Sequence, residues 1–241
     1  MTHCKEEEQR SAMLLGCDAI EKLHRAHVAV FGVGGVGGYA CEALARAGVG
    51  MLTLIDRDTV SLSNINRQIV ALHSTVGKAK VEVMRQRILD INPTCRVTAI
   101  EAFYLPESAV DFPLEQYDYI VDAVDTVSAK IDLALRAAQQ NIPIISAMGA
   151  GNKLSAQSFC VTDLSKTSGC PLARVMRREL KKKGITHLKV VYSQEPAAPL
   201  HPNAPAAPVN ASSHPSPGSL PYVPGVAGLI LAGGVIRDLT L

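Results

Sequence analysis

Apolar residues in this chain come in short blocks, and the blocks alternate between two periodicities. "HVAVFG", "MLTLID", "CRVTAIEA", "DYIVDAVD" and "PIISAMG" are compact runs rich in β-branched residues, which predicts buried strands. Between them, "GYACEALARAG", "GKAKVEVMRQRILDIN" and "AKIDLALRAAQQN" carry apolar residues at helical spacing. Val81, Met84, Ile88 and Ile91 make the clearest such stripe, and Pro93 stops it. Strands alternating with helices predict an α/β fold over 27–151, a doubly wound, Rossmann-like and mostly parallel sheet. Residues 1–26 read as a helical arm in front of it.

Past Gly151 the pattern predicts a smaller α+β extension over 152–194. "QSFCVTD" and "LKVVYS" are strand-like, and "CPLARVMRRELKKKG" is a basic helix turning Leu172, Val175, Met176 and Leu180 inward. Residues 195–221 are rich in Pro, Ala and Ser and hold too few large apolar groups to offset their ordering entropy, so a mobile loop is expected. Apolar character returns over 222–241, as a helix packing back on the core. Its segment "VPGVAGLILAGGVI" is short for a bilayer span and carries Pro and Gly, which favours a core helix over an interfacial membrane contact.

Composition narrows the function. The 241 residues are 47% hydrophobic, enough for one sizeable core, and the net charge of +2 predicts no overall attraction to nucleic acid. Binding to RNA would need a local basic patch. Six cysteines contain no C-x-x-C pair, which argues against structural zinc and against a disulfide scaffold. The N-terminus "MTHCKEEEQRS" lacks the apolar stretch of a secretory signal, so a cytoplasmic protein is expected.

Chemistry concentrates in four places. Gly32-x-Gly34-x-x-Gly37, with Gly35 between, follows a strand and opens a helix, so backbone N–H groups at the helix N-terminus can meet a phosphate. Asp56 ends the next strand, where a ribose hydroxyl would sit. This pattern alone does not separate NAD from ATP. "SNINRQ" then supplies Ser63, Asn64, Asn66, Arg67 and Gln68, and Lys80 follows on the next helix. A guanidinium among amides suits a polyphosphate whose charge grows as pyrophosphate leaves. Taken singly, Arg67 is also a loop cap and Lys80 a solvated charge. "VDAVDT" brings Asp122, Asp125 and Thr126 to the carboxyl edge of the sheet. There Asp125 suits Mg²⁺ or a helix N-cap, with Asp122 as a partner behind it. Arg174, Arg177, Arg178, Lys181 and Lys182, with Lys183, form a cationic helix face, either solvated or in contact with RNA phosphates.

"GVGGVGG", "LIDRDTVSLSNINRQ", "TVGKAKVEV" and "VDAVDTVSAK", in this order, resemble the adenylating enzymes of the ThiF/MoeB/ubiquitin-activating superfamily. That resemblance implies attack of a carboxylate on the α-phosphate of ATP, giving an acyl-adenylate and pyrophosphate. It implies Asp56 on the ribose, Asn66, Arg67 and Lys80 on the phosphates, and Asp125 on Mg²⁺. It also implies a homodimer in which Arg10 reaches the partner subunit's ATP. Members that serve sulfur carriers usually hold two C-x-x-C pairs for zinc, absent here. "NIPIISAMGAGNKL", "VTDLSKTSGCPLARVMRREL" and "LKVVYS" instead look like the tRNA threonylcarbamoyladenosine dehydratase branch. In that branch the carboxylate of N6-threonylcarbamoyladenosine at tRNA position 37 (t6A37) is activated, and its own carbamoyl group closes a ring with loss of AMP. A tethered nucleophile needs no covalent cysteine, although Cys170, just ahead of the basic helix, is expected near the substrate. The alternatives are activation of a ubiquitin-like sulfur carrier and a non-catalytic NAD- or nucleotide-binding module. A monovalent cation, a cysteine-desulfurase or sulfur-acceptor partner, and peripheral contact with a membrane stay open at this level.

Overall fold

A computed structural model of the chain describes residues 5–205 and 217–241. The mobility expected for 195–221 falls in part on residues outside that set, as do residues 1–4 of the expected arm. Ahead of the sheet lie α1 (Gln9–Leu15) and α2 (Cys17–Arg25). Ile20 and Leu23 of α2 are buried in the main core, so one apolar stripe seats this arm.

The expected alternation then follows. β1 (His27–Phe31) leads through the glycine turn into α3 (Gly37–Arg46), and β2 (Met51–Ile55) comes next. After them come α4 (Lys80–Ile91), β3 (Arg96–Ile100), β4 (Tyr119–Asp122), α5 (Val127–Gln139) and β5 (Ile144–Ala147). Beyond Gly151 stand β6 (Phe159–Asp163), α6 (Pro171–Lys182), β7 (Lys189–Ser193) and α7 (Tyr222–Thr240).

The strands form one sheet in the order β3-β2-β1-β4-β5-β7-β6. Every pairing is parallel except β6 with β7, so the residues past Gly151 add an edge to the same sheet. Both faces are covered, which is why the strands read as continuous apolar runs. On β1, Val28 and Val30 belong to one buried cluster, whereas Ala29 and Phe31 belong to a second on the opposite face. The chain leaves β1 towards β2 and β3 on one side and returns as β4 and β5 on the other. This makes the carboxyl ends of β1 and β4 a topological switch point.

Two helices refine the sequence reading. On α6 the buried residues are Ala173, Met176 and Leu180, while Leu172 and Val175 are only half-buried, so the inward stripe is narrower than expected. α7 runs past the apolar segment to Thr240. Its polar last turn is held because Asp238 accepts from Tyr119 Oη (2.5 Å) and from Lys189 Nζ (2.6 Å). Among the described residues, α7 is the one helix long and apolar enough to cross a membrane. Its Val223, Ala227, Leu231, Ala232 and Val235 are buried in the main core.

Glu42 ties α3, which starts at the glycine turn, to α4, which starts at Lys80. Its carboxylate accepts from Arg87 Nε (2.5 Å) and lies 2.7 Å from Arg46 Nη2. Burial pushes the Glu42 carboxyl up, but hydrogen bonds and charge from Arg87 and Arg46 more than reverse this, holding it below the usual range. A depressed carboxyl adds stability above its unfolded value of 4.5, and that stability is lost as pH falls. Glu42→Gln should therefore lower the urea midpoint at neutral pH. Its deficit against the parent chain should narrow as pH drops below 4.5.

Candidate active site

The switch point opens into a cavity of ≈ 530 Å³. Its floor is the turn after β1. Gly32 has φ +89, and a Cβ there would lie 2.6 Å from Ala123 O; one on Gly37 would lie 1.8 Å from Gly32 O. These two glycines let the turn fold tightly against the β4 loop. Above Gly34 the nearest atom to such a Cβ is Gln68 Nε2 at 3.8 Å, so the turn faces open space where a phosphate can approach.

Asp56, at the end of β2, accepts from Val33 N–H (2.7 Å) and from Asp58 N–H (2.8 Å). It clamps the glycine turn and keeps lone pairs for a ligand hydroxyl, since a carboxylate has about four acceptor sites. Ser63, Asn64, Arg67 and Gln68 also line the cavity. Arg67 Nη1 donates to Ser63 O and Asn66 Oδ1, both at 2.9 Å, which aims the guanidinium. Gln68 is 7% exposed, and its Oε1 is the single buried side-chain N or O atom among the described residues without a hydrogen-bond partner. Such an orphan costs ~1–3 kcal/mol until a ligand supplies its partner.

Lys80 is not the solvated charge that its helix N-terminus suggests. It is 5% exposed, and Nζ donates to Asp58 Oδ2 at 2.7 Å. Asp58 was not legible as a site residue. It reaches Lys80 because the backbone around Asp58 and Val60 pairs with that around Lys78 and Lys80.

Asp125 and Thr126 line the opposite wall. The N-cap of α5 is Thr126, so Asp125 does not cap that helix; its carboxylate meets Thr126 Oγ1 at 3.4 Å and is otherwise exposed. Among the described residues no group of three or more His, Cys, Asp or Glu side chains could hold a metal ion. Asp125 still fits Mg²⁺, which takes one or two carboxylates and completes its shell with phosphate and water.

Four expected residues do not line the cavity. Gly37 lies under the turn. Asn66 acts through Arg67 and donates from Nδ2 to Ser219 O (3.1 Å). Arg10 is exposed on α1. Asp122 is fully buried behind the wall, accepting from Lys130 Nζ (3.0 Å) and Ser146 Oγ (2.5 Å). Lys130, also fully buried, donates onward to Val124 O (3.2 Å) and so fixes the loop that presents Asp125. The eight-residue interval from Asp122 to Lys130 spans the β4–α5 turn, and helical periodicity alone gives no hint of the pair.

The remaining wall has no signature in the sequence. Phe103 and Arg57 line the end beyond β2 and β3, with the guanidinium 4.8 Å above the ring. Pro217, Ser219 and Pro224 line the side near Gly151. The far end of the Pro/Ala/Ser-rich segment is thus part of the cavity, stitched down by Asn152, whose Oδ1 accepts from Gly218 N–H (2.7 Å).

On α6 the cations divide. Arg177 Nη1 donates to Leu164 O (3.1 Å) and Thr167 O (2.7 Å), holding the loop after β6. Arg178 and Lys182 both pair with Glu179, at 2.7 and 2.9 Å. Arg174, Lys181 and Lys183 are exposed, and so, despite that pairing, are Arg178 and Lys182. Cys170 is buried at the N-cap, where Sγ accepts from Ala173 N–H at 3.5 Å.

The chain as a whole has well-matched relatives. Over 237 residues the chain is 43% identical to the tRNA threonylcarbamoyladenosine dehydratase of Bacillus subtilis, covering 95% of this chain and 93% of that protein. The Escherichia coli protein of the same name is 44% identical over 171 residues, which cover 71% of this chain and 64% of that protein. The crystal structure of the E. coli tRNA N6-threonylcarbamoyladenosine dehydratase in complex with ATP superimposes with a TM-score of 0.86 at 35% identity, over 97% of this chain and 93% of that one. The ThiF family model matches residues 8–240, and the chain belongs to the ThiF family.

Proposed function

We propose that this chain is an ATP-dependent enzyme that adenylates the carboxylate of N6-threonylcarbamoyladenosine in tRNA and lets the product cyclise. The observation that carries this reading is the cavity at the β1–β4 switch point. It joins a glycine turn, Asp56, Arg67, Lys80 and Asp125 in a chain that resembles, over nearly its full length, a tRNA threonylcarbamoyladenosine dehydratase.

The ribose hydroxyls meet Asp56, and the phosphates lie over Gly34 and Gly35 against the first N–H groups of α3. A substrate carboxylate oxygen attacks the α-phosphorus, the bond to the bridging oxygen of the β-phosphate breaks, and pyrophosphate leaves. Arg67 and Lys80 take up the charge that builds on the leaving group, in a site where they are already aimed. Magnesium, held by Asp125, supplies further neutralisation of the phosphates when bound. The carbamoyl group of the same side chain then attacks the acyl carbon and expels AMP, so the substrate loses one water and ATP is split to AMP and pyrophosphate. Because that nucleophile is tethered, no protein cysteine is required, in keeping with the burial of Cys170 at a helix cap.

Two partners belong to the reading. The exposed cations Arg174, Arg178, Lys181 and Lys182, with Lys183, hold tRNA phosphates, while Arg177 maintains the loop beneath them. A second copy of the chain meets α1, where Met13 and Leu14 are 84% and 88% exposed, and Arg10 on the same helix reaches that copy's ATP. The cytoplasm, which holds both tRNA and ATP, is the site of action.

Purified protein with ATP, Mg²⁺ and t6A-bearing tRNA should release AMP, and nucleoside mass spectrometry should register the loss of one water from t6A. Unchanged tRNA alongside pyrophosphate exchange with a ubiquitin-like protein would replace this reading with sulfur-carrier activation. Arg67→Ala should lower kcat by about 100-fold or more while weakening ATP binding far less; equal losses would remove Arg67 from its phosphate role. Arg174→Glu with Lys181→Glu should raise the apparent KM for tRNA by roughly 10-fold or more at moderate salt and leave ATP affinity intact. An unchanged KM would return α6 to a solvated face.

A further inference from the structure

The chain has six Tyr, four Phe and no Trp. Seven of these rings are buried and Tyr39 is half-buried; the two exposed ones are Phe103, at 39%, and Tyr222, at 51%. Phe103 lines the cavity beyond β3, and Tyr222 stands next to residues that line it. Tyr222 opens α7, three residues after Ser219 and two before Pro224, both of which line it.

The sheet order puts the two rings on opposite sides. Phe103 follows β3, whereas the Tyr222 hydroxyl donates to Leu154 O (2.7 Å), in the loop after β5. From β3 to β5 is four strand spacings, roughly 19 Å. A nucleotide with its ribose on Asp56 and its phosphates over the glycine turn fills the β3 side and the middle. The carboxylate that attacks the α-phosphate must then arrive from the side of β5, where Tyr222 stands.

Tyr222 is also built to receive a flat ligand. Its hydroxyl is anchored, and Pro221 and Pro224 stiffen the backbone on either side, so little freedom remains to be lost on stacking. Leu154 and Leu200, 58% and 54% exposed, lie in the two segments beside it, the Leu200 side chain near Gly218. Unpaired RNA loops are commonly read by stacking splayed bases on such rings.

We propose that Tyr222 is a stacking platform for a nucleobase of the tRNA anticodon loop, orienting the modified adenosine so that its side-chain carboxylate faces the ATP α-phosphate. This rests on the tRNA-modifying reading above. α6 would hold backbone phosphates, and Tyr222 the base.

The absence of tryptophan makes the test clean. In the full-length chain, Tyr222→Trp introduces the sole indole, and its fluorescence should be quenched by t6A-bearing tRNA but not by ATP alone. Tyr222→Ala should raise the apparent KM for tRNA at least ~5-fold with ATP affinity unchanged, while Tyr222→Phe, which keeps the ring and loses the anchor, should fall between the parent chain and Tyr222→Ala. An indole silent at saturating tRNA, an unchanged KM in Tyr222→Ala, or equal losses in the Phe and Ala variants would overturn the stacking role while the parent enzyme still modifies tRNA. Quenching by a ubiquitin-like carrier instead of tRNA would overturn it too. A parent chain that neither binds nor modifies t6A-bearing tRNA would remove the enzymatic reading and this inference together.

Discussion

The carboxyl end of β1 is clamped from both sides, and the site depends on that clamp. Gly32 N–H donates to Ile55 O of β2 and Ala123 N–H donates to Phe31 O, each at 2.8 Å. A side chain on Gly32 would collide with the Ala123 carbonyl. The glycine turn and the loop that carries Asp125 therefore rest directly on each other. Behind them, Asp122 and Lys130 form a fully buried ion pair whose ammonium also holds Val124 O. A buried pair of this kind is weak evidence for stability. Its effect here is geometric, because it fixes the direction in which β4 hands the chain to α5.

The same economy of partners governs the cations of the cavity. Arg67 rests on Ser63 O and Asn66 Oδ1, and Lys80 on Asp58. Each charge is held by groups that fix its position while the space over Gly34 stays open. Electrostatic stabilisation of a leaving pyrophosphate works best when the stabilising charges need not reorganise during the reaction. Glu42 extends that order outward by tying α3 and α4, the helices that start at the glycine turn and at Lys80.

Residues close in sequence were legible because local spacing carries their geometry. Strand, glycine turn and helix occur in one run from His27 to Arg46, and "SNINRQ" brings Ser63, Asn64, Arg67 and Gln68 to one wall within a single turn. Legibility failed where partners meet only through the fold. Lys80 resembles a solvated charge until the strand-like pairing around Asp58 buries it, and Lys130 resembles a surface lysine until α5 folds back beneath β4. The cavity side of the Pro/Ala/Ser-rich segment was illegible for another reason. Pro217 and Ser219 carry no apolar periodicity, and their place is set by hydrogen bonds of Ser219 with Asn66 and of Gly218 with Asn152, far away in the chain. Arg177 shows the converse error, since a guanidinium on a basic helix looks free in sequence yet holds the carbonyls of Leu164 and Thr167.

In the proposed reaction, a carboxylate carried by tRNA attacks the α-phosphate of ATP. Oxygen tracing tests this most directly. With the threonyl carboxylate of t6A labelled with heavy oxygen, a single-turnover reaction should deliver one labelled oxygen to the released AMP, because the acyl–oxygen bond breaks when the ring closes. AMP free of label, formed while the tRNA loses water, would contradict the acyl-adenylate and with it the roles assigned to Arg67 and Lys80.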